Sequence, residues 1–304
     1  MAGARALAGL RVLVTGASSG IGLAVTALLA ERGCALVGTG RSPATLELAP
    51  AGPLTAAVVR DLTEPGAPAE VVAAAVSALN GLDLVVSSAG AGWAGSYESM
   101  SPAEIDAVLD INLRAPMHLA RAAAPHLRAS SAGGQLVLVG SIAGLVGVAE
   151  EVAYGTAKAG LRGLADGLRA EWSLGATGGC NDNDAHHDHG GNDNHGDLDG
   201  RRHGDLAAGT ADNVAHASKG RVTVTLVSPG PVQTAFFSRR NRPYVRSWPR
   251  PVPVSTVARC IVNAVEWRRE DVVVPAWLGF AARLNGGLPA LYHALATIPD
   301  RLAR

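Results

Sequence analysis

Cysteine is scarce in this 304-residue chain, net charge is absent, and long apolar runs are missing. The three cysteines, Cys34, Cys180 and Cys260, are odd in number and far apart. That argues against a disulfide framework and points to a reducing, cytoplasmic setting. Twenty-six basic side chains balance twenty-six acidic ones, so nothing marks out a nucleic acid or an acidic membrane surface as a partner. No stretch reaches the roughly 18 consecutive apolar residues of a membrane-spanning helix. The opening MAGARALAGLRVLVTG lacks the apolar core and cleavage site of a secretory signal. What is present is bulk for a core. Hydrophobic residues make up 48% and charged residues 17%, enough for one large α/β domain.

Apolar β-branched runs alternate with segments of helical period. RVLVTG (11–16) is the first strand, followed by a glycine-rich turn and a helix from Ile21 to Arg32. ALVGTG (35–40), LTAAVVRDL, LDLVVSSAG, GQLVLVGS, RVTVTLVSPG and DVVVP (271–275) supply six more strands. Between them lie an alanine-rich helix over 69–79, a long helix over about 101–129, and a helix containing AYGTAKAG. This alternation predicts a doubly wound, mostly parallel seven-stranded sheet with helices on both faces, in one domain over 1–304. A segment over 175–220 breaks the rhythm: it holds six of the nine histidines and almost no large apolar residues. It reads as a flexible, solvated insertion. Its histidines, aspartates and Cys180 lack the paired spacing of a structural zinc site, so no metal site is assigned. The C-terminal extension, 276–304, is apolar but interrupted by Arg283, Asn285 and glycines. It reads first as core or pocket wall, and second as a weak membrane-surface contact.

TGASSGIG (15–22) follows a strand and opens a helix. Glycine lets the backbone turn tightly and approach a ligand, and the helix start offers free N–H groups to a diphosphate. In this context Gly16, Ser18, Ser19, Gly20, Ile21 and Gly22 predict dinucleotide binding. The second strand ends GTGRS, with no acid to hold a ribose 2′-hydroxyl. Arg41 and Ser42 suit a 2′-phosphate instead, favouring NADP(H) and leaving NAD(H) possible. Asp61 and Leu62, after the third strand, are placed to meet the adenine edge. In AYGTAKAG, Tyr154 and Lys158 are four residues apart on one helix face. An ammonium beside a phenol favours the phenolate, drawing its pKa down from about 10 and making a usable acid and base.

Ser141 lies in VGSIAG and Asn112 in DINLRAP. Together with TGASSGIG, Tyr154-x-x-x-Lys158 and the later SPGPVQT (228–234), they resemble the short-chain dehydrogenase/reductase family in order and spacing. The resemblance covers nearly the whole chain outside the insertion. It implies a catalytic tetrad. Tyr154 would exchange a proton with a carbonyl or alcohol oxygen, and Ser141 would hydrogen-bond that oxygen. Lys158 would lower the Tyr154 pKa and hold the nicotinamide ribose, while Asn112 would hold a water of a proton relay. Pro229, Gly230, Val232 and Thr234 would form the nicotinamide loop, and Ala89 and Gly90 would lie along the cofactor. The chain departs from the family where Asn-Asn-Ala-Gly is usual: it reads SSAG (87–90). A sheet-stabilising Asn bridge is therefore expected to be missing, with little effect on the chemistry.

The segment over 233–254 is expected to cover the substrate as a lid. Trp93, Phe236, Phe237, Tyr244 and Trp248 suggest an apolar pocket, and five arginines between Arg239 and Arg250 suggest a basic rim. The same aromatics would equally serve to pack the lid onto the domain. The expected function is an oxidoreductase passing a hydride between NADP(H) and a lipophilic carbonyl or secondary alcohol. By resemblance the chain forms a homodimer or homotetramer. Two rivals remain: a cofactor-binding regulatory protein without turnover, and a metal-binding protein acting through the histidine-rich insertion.

Overall fold

The structure is a computed structural model, and it describes residues 4–42, 54–174, 221–240, 242, 244, 249–288 and 290. The insertion over 175–220, Trp248 and most of 289–304 lie outside the described residues.

Seven strands form one sheet: β1 (Arg11–Thr15), β2 (Ala35–Gly40), β3 (Ala56–Val59), β4 (Leu84–Ser87), β5 (Gln135–Val139), β6 (Thr223–Pro229) and, last in sequence, β9 (Asp271–Val274). Their order is β3-β2-β1-β4-β5-β6-β9. Every pairing is parallel, so the expected sheet is realised without an antiparallel member. Side chains alternate between faces along each strand. Leu13 and Val85 join one core with helices α2 (Ala67–Leu79), α4 (Ala115–Arg128) and α5 (Val152–Leu174). Val12, Val14 and Val86 join the other with α1 (Gly20–Glu31) and α7 (Val254–Glu266). Burial on both faces explains why these strands read as continuous apolar runs.

The chain winds from β1 through β2 to β3 on one side, and from β4 onward on the other. The crevice between the carboxyl ends of β1 and β4 is therefore the switch point, where such sheets bind ligands. The Thr15 hydroxyl holds this edge together by accepting from the backbone N–H groups of Ser88 and Ala89, at 3.0 and 3.1 Å. That contact braces SSAG in a chain that carries Ser at 87 and 88.

The predicted long helix is interrupted. Helix α3 (Pro102–Leu109) starts on a capping box between Ser101 and Glu104. A wider π turn then spans Asp110–Arg114, closed by the Ala115 N–H on the Asp110 carbonyl. Only then does α4 begin. Pro116 supplies the reason: it has no N–H for the Asn112 carbonyl, and its ring crowds that oxygen.

The sequence reading also misses a second, two-stranded sheet. Strand β7 (Val232–Gln233) pairs in parallel with β8 (Val252–Pro253) and fixes the two ends of the segment over 233–254. Between them, α6 (Phe236–Arg239) makes one turn. Among the described residues no helix is long and apolar enough to cross a membrane.

Candidate active site

Tyr154 and Lys158 stand on the first turns of α5 and are almost fully buried. The Lys158 ammonium lies 5.7 Å from the Tyr154 ring centroid and donates to the Val139 carbonyl at 3.0 Å. Burial alone lowers its pKa to about 8. Burial raises the Tyr154 pKa, a hydrogen bond with Ser141 opposes the rise, and Glu151 and Arg240 act in opposite directions on it. Burial thus overrides the expected drop in the Tyr154 pKa. Desolvation outweighs the neighbouring charges, and Lys158 is itself pushed toward neutrality by the same burial.

Ser141 caps the short turn Ile142–Gly144 that follows β5, and its Oγ accepts from the Ala143 N–H at 3.1 Å. A hydroxyl that accepts from the backbone keeps its own proton to donate, here toward Tyr154. The turn lies against α5 with no room to spare: a Cβ on Gly144 would fall 2.5 Å from the Lys158 carbonyl carbon. Asn112, fully buried in the π turn, donates through Nδ2 to the carbonyls of Ala91 (2.7 Å) and Val108 (2.9 Å). Its Oδ1 is buried without a protein partner. A side chain at Gly90 would meet that oxygen at 2.7 Å and Lys158 Nζ at 3.6 Å, which places both groups beside the β4 edge.

These groups open onto one cavity of about 1440 Å³, larger than a drug-sized ligand needs. Its wall brings together Gly16, Ser19, Gly20, Ile21, Arg41, Ala89, Gly90, Asn112, Ser141, Tyr154 and Lys158. Pro229, Gly230, Val232, Thr234, Phe236 and Phe237, also predicted, line it too. The glycine turn fits a diphosphate. A Cβ at Gly22 would sit 2.2 Å from the Gly16 carbonyl oxygen, so only glycine lets the turn close here. Helix α1 carries no acid in its first turn, so nothing there repels an anion.

Six predicted residues lie outside the wall among the described residues: Ser18, Gly22, Ser42, Asp61, Leu62 and Trp93. Leu62 is a core residue. The Asp61 carboxylate accepts from the Thr63 N–H (2.9 Å) and hydroxyl (2.7 Å), and this local turn directs Leu62 inward. Those bonds, chiefly the one from the Thr63 N–H, outweigh burial and lower the Asp61 pKa, with Arg41 adding to the effect. Trp93 donates to Glu104 at 3.0 Å and packs beside the small cluster of Tyr154 and Phe236.

Aromatic side chains of the segment over 233–254 form a ladder with Tyr154. Ring centroids are 5.5 Å apart for Tyr154–Phe236, 5.6 Å for Phe236–Phe237 and 4.9 Å for Phe237–Tyr244. Two arginines of the expected basic rim are neutralised. Arg240 pairs with Glu151 and stacks on Phe237 at 4.7 Å, and Arg242 pairs with Glu150 at 2.8 Å. The sequence reading missed both glutamates. The C-terminal extension, read as core or pocket wall, supplies α8 (Leu278–Gly287), from which Leu278, Phe280 and Leu284 face the cavity. Among the described residues no three His, Cys, Asp or Glu side chains cluster as metal ligands; the histidine-rich insertion lies outside them.

A model of the short chain dehydrogenase family matches residues 11–175, more than half of the chain, and the chain belongs to that family of oxidoreductases. The 1-deoxy-11-beta-hydroxypentalenate dehydrogenase of Streptomyces avermitilis is 38% identical over 166 residues, 52% of this chain and 62% of that protein. The chain thus spans less than two thirds of that relative's length. A short chain dehydrogenase from Burkholderia cenocepacia, solved with NADP, is 25% identical with a TM-score of 0.66, over 88% of this chain and 97% of that one. A short chain dehydrogenase/reductase from Burkholderia phymatum, solved with NAD, shares the fold at a TM-score of 0.71 and 19% identity, over 94% and 96% of the two chains.

Proposed function

We propose that this protein is an NADP(H)-dependent reductase of lipophilic ketones or aldehydes, able to run in reverse on secondary alcohols. The observation that carries the reading is the grouping of Ser141, Tyr154 and Lys158 in the same cavity as the glycine turn. The nicotinamide, when bound, supplies the hydride. Gly16 to Ile21 and Thr234 would hold its diphosphate end, Arg41 the 2′-phosphate, and Lys158 the ribose next to the nicotinamide.

The protein's share is positioning and proton transfer. Ser141 donates a hydrogen bond to the substrate carbonyl oxygen, where negative charge develops. Tyr154 gives that oxygen its phenolic proton. Its raised pKa keeps it protonated at neutral pH, the form that reduction requires. Lys158 stabilises the phenolate left behind and passes a proton back. The unpartnered Asn112 oxygen, on the Lys158 side of Gly90, suits a water at the start of that relay. The apolar faces of Phe236, Phe237, Phe280 and Leu284 favour a substrate with a hydrocarbon body. The 38% identical Streptomyces relative is named as the dehydrogenase of a hydroxylated acid, the alcohol-oxidising direction of the proposed chemistry.

Consumption of NADPH and NADH across a panel of lipophilic ketones, aldehydes and quinones tests the proposal. Turnover with NADPH exceeding that with NADH is the expected result. Coenzyme binding with no turnover on carbonyls, or on alcohols in reverse, would favour a regulatory cofactor-binding protein instead.

A further inference from the structure

We propose that Arg239 is a coenzyme-binding residue, one that meets the diphosphate from the lid side, opposite the glycine turn. The inference rests on the dinucleotide reading above. Arg239 closes the single turn of α6, and its Nη1 donates to Ser19 Oγ at 3.3 Å. Ser19 is the N-cap of α1, and both side chains line the cavity. Thr234 makes the same approach two residues before α6: a Cβ on Gly20 would lie 3.5 Å from its methyl group. The start of the lid therefore rests on the turn that would cradle the diphosphate.

Charge separates Arg239 from its neighbours. Arg240 and Arg242 are matched by Glu151 and Glu150. Among the described residues no carboxylate pairs with Arg239, whose recorded partner is a neutral hydroxyl at a long distance. A guanidinium in that state exchanges a long bond to a neutral acceptor for an ion pair when an anion arrives. Arg41, the other arginine on this wall among the described residues, directly follows β2 and is assigned to the 2′-phosphate. The diphosphate, common to NADPH and NADH, is the anion left for Arg239. The contact also fixes the substrate side, because α6 carries Phe236, whose ring packs 5.5 Å from that of Tyr154. Coenzyme held by Arg239 would thereby set the lid turn before substrate enters.

Equilibrium titration of the full chain with NADPH and with NADH, followed by nicotinamide fluorescence, tests this directly. Arg239→Ala is expected to weaken both coenzymes about equally, by roughly tenfold or more. The salt dependence of binding should flatten, since one screened attraction is lost. Arg239→Lys should recover much of the affinity, and an unchanged melting temperature would show that the variants fold. Unchanged affinity in Arg239→Ala would overturn the proposal. So would a loss confined to NADPH, which would move the guanidinium to the 2′-phosphate. Wild-type protein binding neither coenzyme would be a different result: it would remove the dinucleotide reading itself.

Discussion

Gly144→Ala adds one methyl group at the point where the Ser141 turn meets the helix of Tyr154 and Lys158. The added Cβ would lie 2.5 Å from the Lys158 carbonyl carbon, 2.6 Å from its oxygen and 2.7 Å from the Ala159 nitrogen. All three are backbone atoms, so no flexible side chain can swing aside. Ordinary contact begins near 3.4 Å, so the turn and α5 must part by nearly an ångström. Overpacking of this kind costs about 1–3 kcal/mol of stability. The catalytic cost is larger, because Ser141 rides on one partner and Tyr154 on the other. A misplacement of about 1 Å lowers turnover by on the order of 100-fold. Coenzyme affinity should change far less, since the glycine turn lies on β1 and α1. The assay pairs kcat on the most reactive carbonyl of the panel with coenzyme titration and a thermal melt. Gly163→Ala, on the same helix but with nothing within 4 Å of its Cβ, serves as the control. A folded Gly144→Ala protein with kcat within about threefold of wild type would refute the claim that this contact sets the catalytic geometry.

Other outcomes follow from the same contacts. Tyr154→Phe removes the proton donor and should lower kcat by about 100- to 10,000-fold while leaving NADPH affinity intact; normal turnover would assign the proton to another group. Arg41→Ala should weaken NADPH by about tenfold more than NADH, and equal losses would move the 2′-phosphate elsewhere. Asp83 is a stability prediction. Burial opposes its charge, but hydrogen bonds from Arg11 and Ser130 prevail and hold its pKa down at about 2. A depressed carboxylate stabilises the fold at pH above its unfolded value of about 4, and that contribution fades as pH falls toward 2. Urea denaturation should show Asp83→Asn less stable by roughly 2 kcal/mol at pH 7, with a shallower decline between pH 4 and 2. Parallel pH profiles for the two proteins would contradict the assignment.

Local signals carried far into the structure. The parallel sheet followed from continuous apolar strands, and nearly half of the cavity wall followed from motif residues at strand ends and on the helices beside them. What escaped was settled by contacts between distant segments. Glu151 looks like any polar helix-start residue until Arg240 arrives beside it from 89 positions away. Strands β7 and β8 are two residues each, too short for a period to show. Phe280 and Leu284 reveal their role only when α8 folds back over the cavity. The Leu62 side chain packs into the core because the Asp61–Thr63 turn directs it inward, and that turn was not read. The π turn did leave a mark: Pro116, four residues after Asn112, forbids a regular helix there.

That turn has a consequence for chain length as distinct from residue identity. Between α3 and α4 the helix path contains a wider turn than the 3.6-residue α-helical one. The wider turn takes up one residue more than a regular α turn, so the flanks on either side keep nearly the register of an uninterrupted helix. Removing one residue from 110–114 would shorten the turn toward α geometry and leave the Ser101 cap and the buried row of Leu119, Ala123 and Leu127 close to their places. What it would disturb is the turn that holds Asn112 Nδ2 against the carbonyls of Ala91 and Val108. Deletion scanning should therefore find 110–114 a stretch where the fold survives the loss of a residue and the site does not.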